Sequence, residues 1–74
     1  MTLGERATRL LGRLVPGAVV EFHAGRLTHD ELVVVATAPG RSVSTRIGAA
    51  VAHCDKGALP RLANELSLRL RWAL

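Results

Sequence analysis

The sequence predicts an α+β domain of order α-β-β-β-α, a three-stranded antiparallel meander with two helices packed on one face. Three observations carry that reading. Leucine and alanine recur at helical spacing near both ends of the chain, alternating β-branched residues fill the middle, and Pro39-Gly40 interrupts the middle where a tight turn belongs. Two apolar helical stripes and one apolar sheet face suffice to close a core between two layers.

The first helix has clear punctuation. Thr2 and Glu5 stand at capping-box spacing, so Thr2 can accept from the Glu5 backbone while Glu5 reaches back. Leu3, Ala7, Leu10, Leu11 and Leu14 then fall on one face, and Pro16-Gly17 ends the run. Along residues 18–24, Val20 and Phe22 point one way, and Val19, Glu21 and His23 the other. Residues 32–38 contain three consecutive valines, which implies burial on both faces or a central strand. Pro39 and Gly40 suit the two corners of a type II turn, and Val43, Thr45 and Ile47 then alternate with Ser44 and Arg46. Residues 49–54 fit either a continuation of the third strand or a short helix, and the strand is the favoured reading. Asp55 is placed to cap a second helix, with Pro60 in its first turn and Leu59, Leu62, Ala63, Leu66, Leu70 and Leu74 on its inner face. The core expected from these phases is Leu10, Leu14, Val20, Phe22, Val34, Leu62 and Leu66.

The chain of 74 residues reads as one domain spanning 1–74, with no linker or tail. A domain of this size buries only ~60% of its unfolded surface, so it depends on a dense core, a staple or a partner. Cys54 is the single cysteine, which excludes an intrachain disulfide and suits a reducing, cytoplasmic setting. No apolar run approaches the ~20 residues of a membrane span, and the first residues lack the order of a secretory signal.

Neither catalysis nor metal binding is favoured. His53-Cys54-Asp55 resembles a thiol–imidazole pair on paper, yet neighbours on a strand point to opposite faces, and His29-Asp30 meets the same objection. His23, His53 and Cys54 lack the closely spaced ligand pairs of a structural zinc site. No phosphate-cradling glycine loop or nucleophile motif occurs, so the expectation is a non-enzymatic protein with no cofactor and no metal.

Net charge is +4, and nine of the ten basic residues are arginine. Residues 1–17 and 56–74 are basic, whereas 18–55 are slightly acidic. Arg6, Arg9 and Arg13 form a stripe along the first helix that could track phosphates, and a nucleic-acid binder is the alternative function. The α-β-β-β-α order resembles that of double-stranded-RNA-binding domains, which implies an RNA partner. Those domains carry a lysine cluster where this chain has Lys56-Gly57-Ala58-Leu59-Pro60-Arg61, and a longer basic loop than Pro39-Gly40-Arg41. The sheet also lacks the stacking aromatics of single-strand binders.

The second helix carries the sharper signal. With its core stripe inward, Arg61, Glu65, Leu68 and Trp72 recur along the opposite face, where Arg61 and Glu65 can pair. Leu68 and Trp72 flanked by Arg69 and Arg71 have the composition of an interface anchor. The competing placement has Trp72 folded back over the sheet edge, or the helix frayed before it. The leading expectation is a small protein-binding module, a homodimer or an adaptor or inhibitor docking on a larger protein, using Arg61, Leu68, Arg69 and Trp72.

Overall fold

The computed structural model describes residues 2–25 and 30–72. Helix α1 (Leu3–Leu14) leads into β1 (Val19–Ala24), β2 (Glu31–Ala38) and β3 (Arg41–Gly48), followed by α2 (Ala49–Cys54) and α3 (Ala58–Trp72). The strands form an antiparallel sheet of order β1-β2-β3. Its register pairs Val20 with Ala36 and Phe22 with Val34 on one side, and Val34 with Thr45 and Ala36 with Val43 on the other. Central placement of β2 accounts for the valine run: Val34 is buried against the helices, while Val33 and Val35 are half-buried on the open face.

Local chemistry sets the element ends. Thr2 Oγ1 accepts from the Glu5 N–H at 3.1 Å, which caps α1. Two residues, Pro39 and Gly40, join β2 to β3, and Gly40 has φ +76°, as the second corner of a type II turn requires. A Cβ at Gly4 would lie 3.2 Å from the Val20 carbonyl oxygen, so α1 crosses β1 at close range.

Residues 49–54 form α2, contrary to the strand expected for them. The reason is a shortage of partner. Glu31 pairs with Gly48 as the last rung of the β2–β3 ladder, and the Ala49 N–H instead donates to the Asp30 carbonyl at 2.7 Å. An alanine-rich hexapeptide with no strand beside it satisfies its backbone as a helix. Asp55 is likewise not the N-cap of the last helix. It ends α2, and its carboxylate accepts from the Gly57 N–H at 2.9 Å, after which α3 starts at Ala58 with Pro60 in the first turn.

The core lies between the sheet and the α1–α3 layer. Ala7 and Leu11 of α1, Val20, Val34, Ala36 and Ala38 of the sheet, and Leu59, Leu62, Ala63, Leu66 and Leu70 of α3 are all buried. Three residues expected in that core are displaced from it. Leu10 and Phe22 pack half-buried at its margin, and Leu14 is 39% exposed because Leu11 and Ala7 occupy the inward direction of α1. Leu74 and His29 lie outside the described residues.

Both free sheet edges are covered at one point by a helix side chain. The Thr8 hydroxyl accepts from the Val20 N–H at 2.9 Å and donates to the Val20 carbonyl at 3.3 Å, so it stands in for a neighbouring strand on β1. On β3, Arg69 Nη1 donates to the Ser44 carbonyl at 3.3 Å. Interrupting an edge in this way blunts strand-to-strand association. Among the described residues, no helix is long and apolar enough to cross a membrane.

Candidate docking surface

The site begins with the direction of the two long helices. A Cβ at Gly17, just after α1, would lie 3.6 Å from the Pro39 ring, and Arg41 Nη1 donates to the Leu70 carbonyl of α3 at 2.8 Å. Both helices therefore end beside the β2–β3 turn. Two helix C-termini at one end of a molecule concentrate negative partial charge there, and Arg13, Arg69 and Arg71 in the last turns, with Arg41, answer it.

On α3 the inner stripe is fully engaged, from Ala58 through Leu70. The opposite face carries Arg61, Glu65, Leu68 and Trp72 at intervals of about one helical turn, as the spacing predicts. Leu68 is 54% exposed and Trp72 is 81% exposed. The helix continues through Trp72, and the indole stands clear of the sheet edge. A large apolar pair in this position on the end of a rigid helix is an unusual allocation for a domain with little core to spare.

Each arginine of the expected site has an intramolecular role. Arg61 Nη2 contacts Asp55 Oδ2 at 2.6 Å, so its partner is Asp55 and not Glu65. The Gly57 N–H, and then the Arg61 guanidinium, hold the Asp55 carboxyl below its ordinary range. Arg69 bridges Glu65, at 2.9 Å, and the Ser44 carbonyl of β3. Arg71 is exposed and makes no ion pair or side-chain hydrogen bond among the described residues. Leu68, Trp72 and Arg71 are thus the part of this face not engaged by another side chain among the described residues, with Arg69 fixed beside them.

The α1 stripe is also exposed. Arg6, Arg9 and Arg13 are all accessible, and none makes an ion pair among the described residues. An open groove runs between the N-terminal half of α1 and β1, with Leu3, Arg6, Arg9, Phe22 and His53 among its walls. The strand periodicity gave no sign of it, because it depends on how α1 crosses β1. The Thr8 clamp was equally invisible, since a threonine beside a leucine stripe reads as a neutral flank.

The chemistry-bearing residues are dispersed. His23 lies on the open sheet face, 3.3 Å from Glu21, and His53 and Cys54 occupy the exposed end of α2. On a helix the objection from strand alternation no longer applies to His53 and Cys54, but both side chains face solvent. Among the described residues no three His, Cys, Asp or Glu groups gather closely enough to hold a metal ion, so His23, His53 and Cys54 do not converge.

Comparison with protein-family models, with curated proteins and with solved structures finds no match to this chain.

Proposed function

We propose that the chain is a non-catalytic protein-binding module that docks through the outer face of α3. The reading covers a homodimer and an adaptor or inhibitor seated on a larger protein, acting in the reducing cytoplasm that the lone Cys54 suits. The observation that supports it is the outward pair of Leu68 and Trp72, set one turn apart on a helix whose inner stripe is already satisfied. Burying what the pair exposes would return roughly 5–7 kcal/mol at ~25 cal/mol per Å². Association itself costs about 4–15 kcal/mol, so the pair anchors a contact but leaves affinity and selectivity to the groups around it.

The direct test compares the wild type with a Leu68→Asp, Trp72→Ala double variant. The variant should melt close to the wild type, because neither side chain is in the core, while losing association with itself or with a partner. Unfolding of the variant under conditions where the wild type is a stable monomer would place Trp72 in the core and remove the proposal.

A second reading rests on the exposed Arg6, Arg9 and Arg13, which make no ion pair among the described residues and present cationic groups that could follow a phosphate backbone. Its signature is nucleic-acid affinity that falls steeply with salt, with a slope reduced by roughly one unit in Arg9→Ala. No gel shift at low salt with single- or double-stranded DNA or RNA would remove it.

A further inference from the structure

The charges around Leu68 and Trp72 specify the partner more narrowly. Arg71 adjoins Trp72 in sequence, Arg13 closes α1 at the same end, and both lack an ion-pair partner among the described residues. Arg41 and Arg69 also lie there, and the acid of this face, Glu65, is engaged by Arg69 at 2.9 Å. The acids Asp30, Glu31 and Asp55 belong to the opposite end, where Glu31 pairs with Gly48 and Asp55 precedes α3.

A second copy of this chain fits that surface badly. A two-fold contact brings the same patch of both copies together. If two α3 helices cross antiparallel with Trp72 over Leu68, the dyad lies at the level of Leu70, and Arg69 of each copy faces Arg71 of the other. A parallel crossing sets Arg71 against its own equivalent. Either arrangement encloses a small apolar contact within like charges, which opposes association, and each copy already carries a net charge of +4.

From this geometry, and resting on the docking role proposed for α3, we infer that the surface receives an acidic, apolar face of a different protein, with carboxylates opposite Arg13 and Arg71 around a pocket for Trp72. Charge complementarity then supplies the selectivity that two apolar side chains cannot, and it speeds encounter at low salt.

A copy of the chain carrying Arg13→Glu and Arg71→Glu makes a defined probe, because it keeps Leu68 and Trp72 while turning their surroundings acidic. Circular dichroism and melting first establish that the probe is folded. Labelled wild type is then titrated with the probe, with unlabelled wild type, and with an Arg6→Glu, Arg46→Glu copy of the same net charge reversed elsewhere. The expected result is binding to the probe at least tenfold tighter than to either comparison, weakened at least tenfold by Leu68→Asp in the wild type or by raised salt. Wild type that dimerises through Leu68 as tightly as it binds the probe would overturn the acidic-partner inference and leave the docking role standing. Absence of binding to the folded probe would also overturn the inference. Binding that ignores Leu68→Asp would overturn the docking role itself. In a parallel titration, a single-stranded DNA 20-mer should bind no tighter than the probe. Tighter DNA binding that is lost in Trp72→Ala would identify the polyanion as nucleic acid and overturn the inference.

Discussion

Leu11 and Leu14 sit three residues apart on α1, and replacing either with Ala alters helix propensity by the same small amount. Their surroundings differ: Leu11 is 0% exposed and Leu14 is 39% exposed. Truncation at Leu11 loses the transfer free energy of the removed carbons and leaves a cavity within the buried cluster, for a cost of ~3–5 kcal/mol. At Leu14 much of the removed surface already touches water and no closed cavity forms, so the cost is about 1 kcal/mol. A domain of 74 residues has a total stability of roughly 4–11 kcal/mol at ~0.05–0.15 kcal/mol per residue. Leu11→Ala should therefore stand at the margin of folding, with a melting temperature lower by about 12 °C or more, and Leu14→Ala should lose less than about 8 °C. Urea titration and thermal melting followed by circular dichroism measure both. Equal losses, or a larger loss at Leu14, would show that the inward direction of α1 has been misassigned.

Thr8→Val keeps the side-chain volume but leaves the Val20 N–H and carbonyl on the β1 edge without their partner, at a cost of about 1–3 kcal/mol. Thr8→Ser should recover most of that loss, and hydrogen exchange at the Val20 amide should quicken only in the valine variant. A valine variant as stable as the wild type would remove the clamp. The Asp55 carboxyl titrates below its ordinary value of 3.8, so the stability it contributes is present above that value and is lost as pH falls through the lowered one. Asp55→Asn should flatten the acid limb of the stability–pH curve below pH 3.8, and an unchanged limb would refute the coupling to Gly57 and Arg61.

Much of this fold was legible in the residues, for physical reasons that differ by element. Thr2, Pro16 and Pro39-Gly40 act through their immediate neighbours, so the start of α1, its end and the β2–β3 turn follow from local chemistry alone. The phase of α3 was clear because Leu59, Leu62, Ala63, Leu66 and Leu70 repeat at helical spacing, and all five are buried. Residues 49–54 were misread because their conformation depends on whether β2 extends far enough to pair with them, which no local pattern records. Leu14 and Phe22 were placed too deep for a related reason: a stripe wider than its contact leaves its margin in water. At the candidate site, periodicity identified Leu68 and Trp72 as outward-facing. It did not reveal that Arg61 pairs with Asp55 or that Arg69 reaches Ser44, since Asp55 and Ser44 approach them only in the folded chain.

Trp72 is the single tryptophan of the chain, so its fluorescence reports the docking face without interference. In dilute wild-type protein at low salt its emission should match that of an indole in water and be fully open to quenching by acrylamide, as 81% exposure requires. Adding the folded Arg13→Glu, Arg71→Glu copy, itself carrying Trp72→Phe to remain dark, should shift the emission to shorter wavelength and shield it from the quencher. The Leu68→Asp protein should show neither change. Short-wavelength, shielded emission from the monomer alone would mean that Trp72 packs within its own chain, and the claim that α3 presents it to a partner would be wrong.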